Sequence, residues 1–277
     1  MEQARGSATV GVLQDQVAEW NARALAYRGL TRRWRVFEDM ADRLVASLPA
    51  DLGSGVVVDV GGGTGLCGER VLARFPDAAV HLVEPAGRMR AQTPSIARFA
   101  GLWSIRAEKL GELQGELSAD AIISSAVMHM VDEREAMPGM AALLKPGGIL
   151  AFNLWWHADE ETAGFDPDDK WLPLLERSIS EIGHRIPQWP DPRRGGFPPR
   201  SGPSLQVLAF ASGLMPVERV IEYNAIRASF FIDFRAMWPD WPPGLGRTDR
   251  SKVLTRAKEL ARAVISVPTV RYVFRKE

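Results

Sequence analysis

Residues 56–69 read VVVDVGGGTGLCGE, and the fold follows from this stretch. Its first five residues are a β-branched run of the kind that forms a strand covered on both faces. Gly61, Gly62, Gly63 and Gly65 follow, and helical text begins near Leu66. Glycines are needed where a tight turn takes dihedrals closed to other residues, and where a ligand must reach backbone with no side chain in the way. The first turn of the helix adds N–H groups that have no partner within it. Strand, glycine loop and helix in that order predict a cofactor site rather than a purely structural turn.

Downstream, strand and helix text alternate. AVHLVEP ends a second strand at Glu84, SADAIISSAV ends another near Ser124 and Ser125, and a helix over about 133–144 leads into the strand GILAFNLWW. A weaker helix over 88–99 and a strand over 102–106 lie between. Such alternation over more than 90 residues predicts an α/β fold with a doubly wound, mostly parallel sheet. Upstream, residues 1–10 read as a loose tail and about 12–48 as helical, with Trp34, Phe37, Met40, Leu44 and Leu48 at the spacing of a buried stripe. The expected organisation is an N-terminal helical cap (1–49), a cofactor-binding core (50–156), a Trp-rich helical insertion or lid (157–205) and a segment completing the sheet (206–277). Residues 187–203, PQWPDPRRGGFPPRSGP, form the proline-rich part of that insertion.

The glycines do not by themselves name the cofactor. Gly63, Gly65 and Gly68 fit G-x-G-x-x-G, and Glu84 follows at about the distance of a ribose-binding carboxylate, so a nicotinamide dinucleotide and an adenosyl ligand are both open. A phosphate-binding P-loop is excluded, because no lysine follows the glycines.

Five motifs in order then resemble the class I S-adenosylmethionine-dependent methyltransferases of the small-molecule type. They are VVVDVGGGTG, HLVEPAGRM, AEKL at 107–110, AIISSAVMHMVD and LLKPGGILAFN, together spanning roughly 56–153. The resemblance implies seven strands, the last antiparallel and inserted beside the fifth, with 218–225 and 269–275 as the closing pair. It implies S-adenosylmethionine as cofactor, its methionine part along the 61–65 loop near Asp59 and its ribose on Glu84. Pro85, Met89, Ala107, Glu108, Ser124 and Ser125 would border it. Family members usually carry an aspartate shortly before the alanine of the adenine-side motif. This chain has Arg106 there, which shifts the expected adenine contacts to the Ala107 backbone and Glu108.

A sulfonium methyl is already electrophilic, so the protein must align the acceptor and, for a hydroxyl or acidic C–H, take a proton. His129, directly after the fourth strand, and His157, after the fifth, are the candidate bases, and Tyr27 in the N-terminal helices is a candidate lid or orienting residue. His184 is a weaker candidate, and His81 reads as structural. The chain has nine tryptophans, and Trp155, Trp156, Trp171, Trp189, Trp238 and Trp241 cluster late in it. Large rings of this kind line apolar pockets, so the expected acceptor is a small aromatic or apolar molecule, with O-methylation favoured. Arg227 and Arg235 are available for a negative group on it.

Lys plus Arg and Asp plus Glu both total 34, a balance that argues against a nucleic-acid-tracking surface. Cys67 is the single cysteine, which leaves no disulfide framework or thiolate metal site. The acidic run 159–169 reads as a solvated loop, so no metal is expected. Without a signal-like or membrane-length apolar stretch, the expectation is a cytoplasmic protein, monomeric or homodimeric, acting on a small molecule. The alternatives are an NAD-dependent oxidoreductase and a noncatalytic methyltransferase-fold protein working through protein contacts.

Overall fold

The computed structural model describes residues 2–94, 96–189 and 199–277, with side chains described from residue 16 onward. Two helices, α1 (Glu2–Arg33) and α2 (Val36–Ala46), precede the first strand. The core then runs β1 (Val56–Val60), α3 (Leu66–Arg74), β2 (Ala79–Val83), α4 (Gly87–Arg90), β3 (Gly101–Trp103), β4 (Ala119–Ser125), α5 (Glu133–Leu143) and β5 (Leu144–Trp155). After it come α6 (Leu172–Glu181), α7 (Gly202–Ala211), β6 (Leu214–Arg227), α8 (Ser229–Arg235), α9 (Arg247–Leu260) and β7 (Val264–Lys276).

The seven strands form one sheet in the order β3-β2-β1-β4-β5-β7-β6. Pairs among β1 to β5 are parallel, and β7 lies antiparallel between β5 and β6. The expected closing pair is therefore present, extended at both ends. Strand order reverses between β1 and β4, and in such sheets ligands bind in the crevice beyond the carboxyl ends of the strands at that switch point. The sequence that decided the fold ends at that crevice.

Both faces of the sheet are covered. Ala41, Leu44 and Val45 of α2 pack with Cys67, Val71 and Leu72 of α3 over Val57, Val80 and Ile123. Met137 and Met140 of α5 pack over Ile122, Leu150, Phe152 and Tyr272 on the other face. Full burial of such a side chain contributes about 1.5–3 kcal/mol, so these two layers supply most of the driving force for closing the sheet. The start of β5 is tied down: Lys145 pairs with Asp120 at 2.8 Å, and the same carboxylate oxygen accepts the Val56 N–H at 2.7 Å.

Three expectations change. The N-terminal residues belong to α1 from Glu2, so residues 2–10 are helical where a loose tail was expected. The weak helix over 88–99 shrinks to the four residues of α4 and a short 3₁₀ turn at Ile96–Arg98; Pro94 lacks the N–H that continuation would need. The acidic loop is not wholly solvated. Asp159 is fully buried, accepting a hydrogen bond from Arg219 at 3.0 Å and another from the Tyr272 hydroxyl. Most of the proline-rich stretch, 190–198, lies outside the described residues.

Candidate active site

The glycine loop is held by backbone geometry. Gly61 and Gly62 both donate to the Val83 carbonyl, at 2.7 and 3.2 Å, which fastens the end of β1 to the tip of β2. Gly61, Gly63 and Gly65 have φ of +64°, +56° and +82°, values that L side chains rarely adopt. Space forbids side chains as well. A Cβ on Gly62 would stand 2.2 Å from Leu82 and 2.6 Å from an Asp59 carboxylate oxygen, and one on Gly65 would stand 2.5 Å from Thr93.

Two buried carboxylates flank this loop. Asp59 is wholly buried; its Oδ2 accepts the Gly68 N–H at 2.8 Å, and its Oδ1 has no partner. Burial, reinforced by the charge of Glu84 and opposed by the Gly68 hydrogen bond, pushes its pKa up to about 7. Glu84 closes the far side, where Oε1 accepts the Ala86 N–H at 2.7 Å and Oε2 the Gly63 N–H at 3.1 Å. Burial raises its pKa too, against those two hydrogen bonds. An unpaired buried carboxylate oxygen, a second carboxylate and side-chain-free backbone form a cradle that fits a ligand with an amine and vicinal hydroxyls.

Around the cradle, Tyr27 of α1 packs edge-on between Trp20 and Phe37, with ring centroids 5.4 and 5.6 Å apart. Burial, then the nearby Cys67, Glu84 and Asp59, raise its hydroxyl pKa. Met89 is buried, with its methyl 3.2 Å from where a Gly63 Cβ would lie, and the Arg88 N–H donates to Asn21 of α1 at 2.8 Å. Pro85 is half-buried beside Glu84. Ala107 is buried, whereas Glu108 is already engaged, accepting the Asp132 N–H at 3.3 Å and lying 3.5 Å from Arg106. Ser124 donates to the Val60 carbonyl at 3.0 Å and Ser125 to the Asn153 side chain at 3.2 Å, so both hydroxyls brace the strand tips.

Asn153, near the end of β5, organises the turn after β4. Its Oδ1 also accepts the Ala126 N–H at 2.9 Å, and its amide donates to the Met40 carbonyl at 3.4 Å. Ala126 has φ +56°, which for a non-glycine costs about 1–2 kcal/mol and marks a turn held by its surroundings. The Val127 methyls lie where a Gly61 side chain would have to go. No sequence periodicity announces such a contact; it arises only when the ends of β4 and β5 pair.

The two favoured histidines, 28 positions apart in sequence, come together. His129 and His157 sit on 3₁₀ turns after β4 and β5, with ring centroids 5.3 Å apart and planes at 84°. Burial, with His157 and Arg200 adding like charge, lowers the His129 pKa to about 3, and its Nδ1 has no partner. His157 is an exposed residue, and desolvation together with the charge of Arg235 lowers its pKa to about 4. Both imidazoles are neutral at physiological pH and able to accept a hydrogen bond. Arg200, which sequence reasoning passed over, links their loops. It pairs with Glu133 at 2.9 Å, donates to the Val131 carbonyl at 3.0 Å, and exchanges backbone hydrogen bonds with Ala158 and Glu160. His184 is instead bound to Asp249 at 3.2 Å, and His81 accepts the Trp103 indole N–H at 3.2 Å, a structural contact as expected.

The late aromatics assemble beside this pair. Trp156 meets His157 at 5.2 Å, Trp155 at 5.6 Å and Phe231 at 5.7 Å; Trp171 stacks on Phe231, and Trp241 joins Trp171 to Trp189. Trp155 and Trp171 are buried and serve as packing, whereas Trp156 is only half-buried. Among the described residues no group of His, Cys, Asp and Glu has the arrangement of a metal site, and no helix is long and apolar enough to cross a membrane.

Comparison with known proteins decides the family. A methyltransferase-domain family model matches residues 58–150, the segment holding the glycine loop and both strand tips. An uncharacterized methyltransferase of Mycobacterium bovis is 34% identical over 156 residues, covering 51% of this chain and 73% of that protein. The chain belongs to the class I S-adenosylmethionine-dependent methyltransferases. Its cofactor is accordingly of the S-adenosylmethionine type, and its enzyme class is methyl rather than hydride transfer. The chain is also similar to the trans-aconitate 2-methyltransferase of Methylobacterium nodulans, at 29% identity over half of each chain. The fold matches that of the YcgJ protein from Bacillus subtilis, with a TM-score of 0.54 at 16% identity over 87% of this chain and 99% of that one.

Proposed function

We propose that this methyltransferase moves the methyl group of S-adenosylmethionine to an oxygen of a small aromatic or apolar acceptor, with the His129–His157 pair receiving the displaced proton. In this reading Asp59 takes the cofactor's amine, Glu84 its ribose hydroxyls and the 61–65 backbone its methionine part, with Met89, Pro85 and Ala107 toward the adenine. Glu108, Ser124 and Ser125 act one step back, by holding the turns that make the contacts. Tyr27 closes the cradle from α1.

Bound S-adenosylmethionine would supply an electrophilic methyl carbon. The chain's part is to orient the acceptor and hold its proton. The reading rests on one observation above all: two neutral imidazoles meet edge to face at the carboxyl ends of β4 and β5, next to the switch point and against an aromatic wall. An acceptor hydroxyl held at this pair would pass its proton to an imidazole nitrogen as it is methylated. A small acceptor is also in keeping with the relative named for trans-aconitate.

The test is turnover of S-adenosylmethionine with a panel of phenols, followed by S-adenosylhomocysteine release, in the wild type and in His129→Gln and His157→Gln. Loss of a positioned base lowers kcat by about 10²–10⁴-fold. Because a base works when neutral, and these imidazoles gain protons only near pH 3–4, wild-type rates should stay level from pH 8 down to about pH 5. A rate that halves near pH 6.5, or full activity in both variants, rules out this pair as the base.

A further inference from the structure

His129 and His157 are carried by short 3₁₀ turns, Met128–Met130 and Trp156–Ala158, that follow the ends of β4 and β5. A turn this short has few and poorly aligned hydrogen bonds of its own, so the direction of each imidazole is set by whatever grips the turn. At the near ends the grip is Asn153, whose side chain accepts the Ala126 N–H at 2.9 Å. At the far ends it is Arg200. Its backbone N–H donates to the Ala158 carbonyl at 2.7 Å and its carbonyl accepts the Glu160 N–H at 3.0 Å, so residue 200 is fastened to the chain directly after His157. That chain is itself fixed to the sheet, because the buried Asp159 carboxylate accepts from Arg219 at 3.0 Å and from the Tyr272 hydroxyl.

From this base the Arg200 side chain reaches across to the other turn. Nη2 donates at 3.0 Å to the carbonyl of Val131, the residue that closes the His129 turn. Nε lies 2.9 Å from a carboxylate oxygen of Glu133, the first residue of α5. The Arg200 side chain is only 5% exposed. Burying a guanidinium carries a desolvation cost that a packed apolar side chain would not, so what this residue supplies is geometry. Its donors lie along a rigid planar fork, which can grip two partners at once and so fix one turn relative to the other; an ammonium on a flexible stem offers a single point. Between the two turns held in this way, the imidazoles stand with centroids 5.3 Å apart and planes at 84°.

We propose that Arg200 is the positioning residue of the histidine pair: by tying the turn that carries His129 to the turn that carries His157, it holds the two imidazoles edge to face at the mouth of the cleft. The inference rests on the reading of that pair as the proton acceptor and adds the residue that assembles it. Arg200 acts through the histidines, with no part in the cofactor cradle.

The experiment records the ring-to-ring nuclear Overhauser contact between His129 and His157 in histidine-labelled protein, with and without S-adenosylhomocysteine, for the wild type, Arg200→Met and Arg200→Lys. His129→Gln and His157→Gln assign the signals. Wild type should show the contact, Arg200→Met should lose it and Arg200→Lys should keep part of it, while S-adenosylhomocysteine affinity is the same in all three. With a phenol that the wild type methylates, kcat should fall about tenfold to a hundredfold in Arg200→Met with KM for S-adenosylmethionine unchanged, the cost of a misplacement of about 1 Å. Should the methionine variant fail to fold, Arg200→Lys decides alone through a weakened contact and a lowered kcat. An undiminished contact in every variant that folds, or a lower melting temperature with contact and kcat intact, overturns the proposal. A contact that follows Arg200 while His129→Gln and His157→Gln stay fully active upholds the positioning and sinks only the base assignment beneath it.

Discussion

Asp59→Asn should make the free protein more stable at pH 8 while weakening the cofactor site. The carboxyl is wholly buried with one oxygen unpartnered, and its pKa rises from the ordinary value near 4 to about 7. Folded protein therefore holds this proton more tightly than unfolded chain does, and stability falls as pH rises from about 4 to about 7. At 1.36 kcal/mol per tenfold change in proton affinity, the ionised group costs about 4 kcal/mol above pH 7, and about 2–3 kcal/mol of that is expressed between pH 5 and pH 8. The asparagine keeps an oxygen for the Gly68 N–H and removes the charge. Its amide inherits the site without a partner, so the net gain at pH 8 is about 2 kcal/mol. For a chain of this size, the difference in melting temperature between variant and wild type should be about 5–10 °C more favourable at pH 8 than at pH 5. The assay is thermal unfolding across that pH range, with and without S-adenosylhomocysteine. The wild type should be stabilised by ligand, and the variant much less. A variant equally destabilised at both pH values would refute the claim that this carboxylate is held at a cost in stability for the sake of a ligand.

Other substitutions test the frame around it. Gly65→Ala places a side chain at φ +82° and 2.5 Å from Thr93, so it should lose at least about 1–2 kcal/mol of stability from the backbone alone and abolish S-adenosylhomocysteine binding in calorimetry. Gly147→Ala, with φ +79° but open space around it, should show the backbone cost in a melt while leaving ligand binding intact. Asp159→Ala strands the Arg219 guanidinium and the Tyr272 hydroxyl, and should cost about 3 kcal/mol in denaturant unfolding; a loss under 1 kcal/mol would mean water replaces the carboxylate.

Legibility in the sequence followed the range of the interactions. The glycine loop, Glu84 and the strands flanking them are written in short, contiguous text, because the tight turn and the β-branched run are local requirements. The closing pair of β6 and β7 was reachable through the family resemblance rather than through periodicity. Asn153 and Arg200 were harder, since each acts on a segment far away in the chain: Asn153 on Ala126 and Arg200 on Val131. His129 and His157 were chosen separately for following strands, and only the parallel pairing of Ser125 with Asn153 brings their loops side by side. Asp159 misled for the opposite reason. An acidic run reads as solvated until the bulky partners that bury one of its members, Arg219 and Tyr272, arrive from 60 and 113 residues later.

The most direct test of the central claim is calorimetric titration of S-adenosylhomocysteine into the wild type and into Glu84→Gln, with NADH as the control ligand. One site per chain is expected, with no NADH binding. Glu84→Gln should weaken the site at least about tenfold, because a carboxylate that accepts two hydroxyl hydrogen bonds is replaced by a group that accepts at one atom only. Absence of S-adenosylhomocysteine binding, or equal affinity in the variant, would contradict the assignment of this cleft.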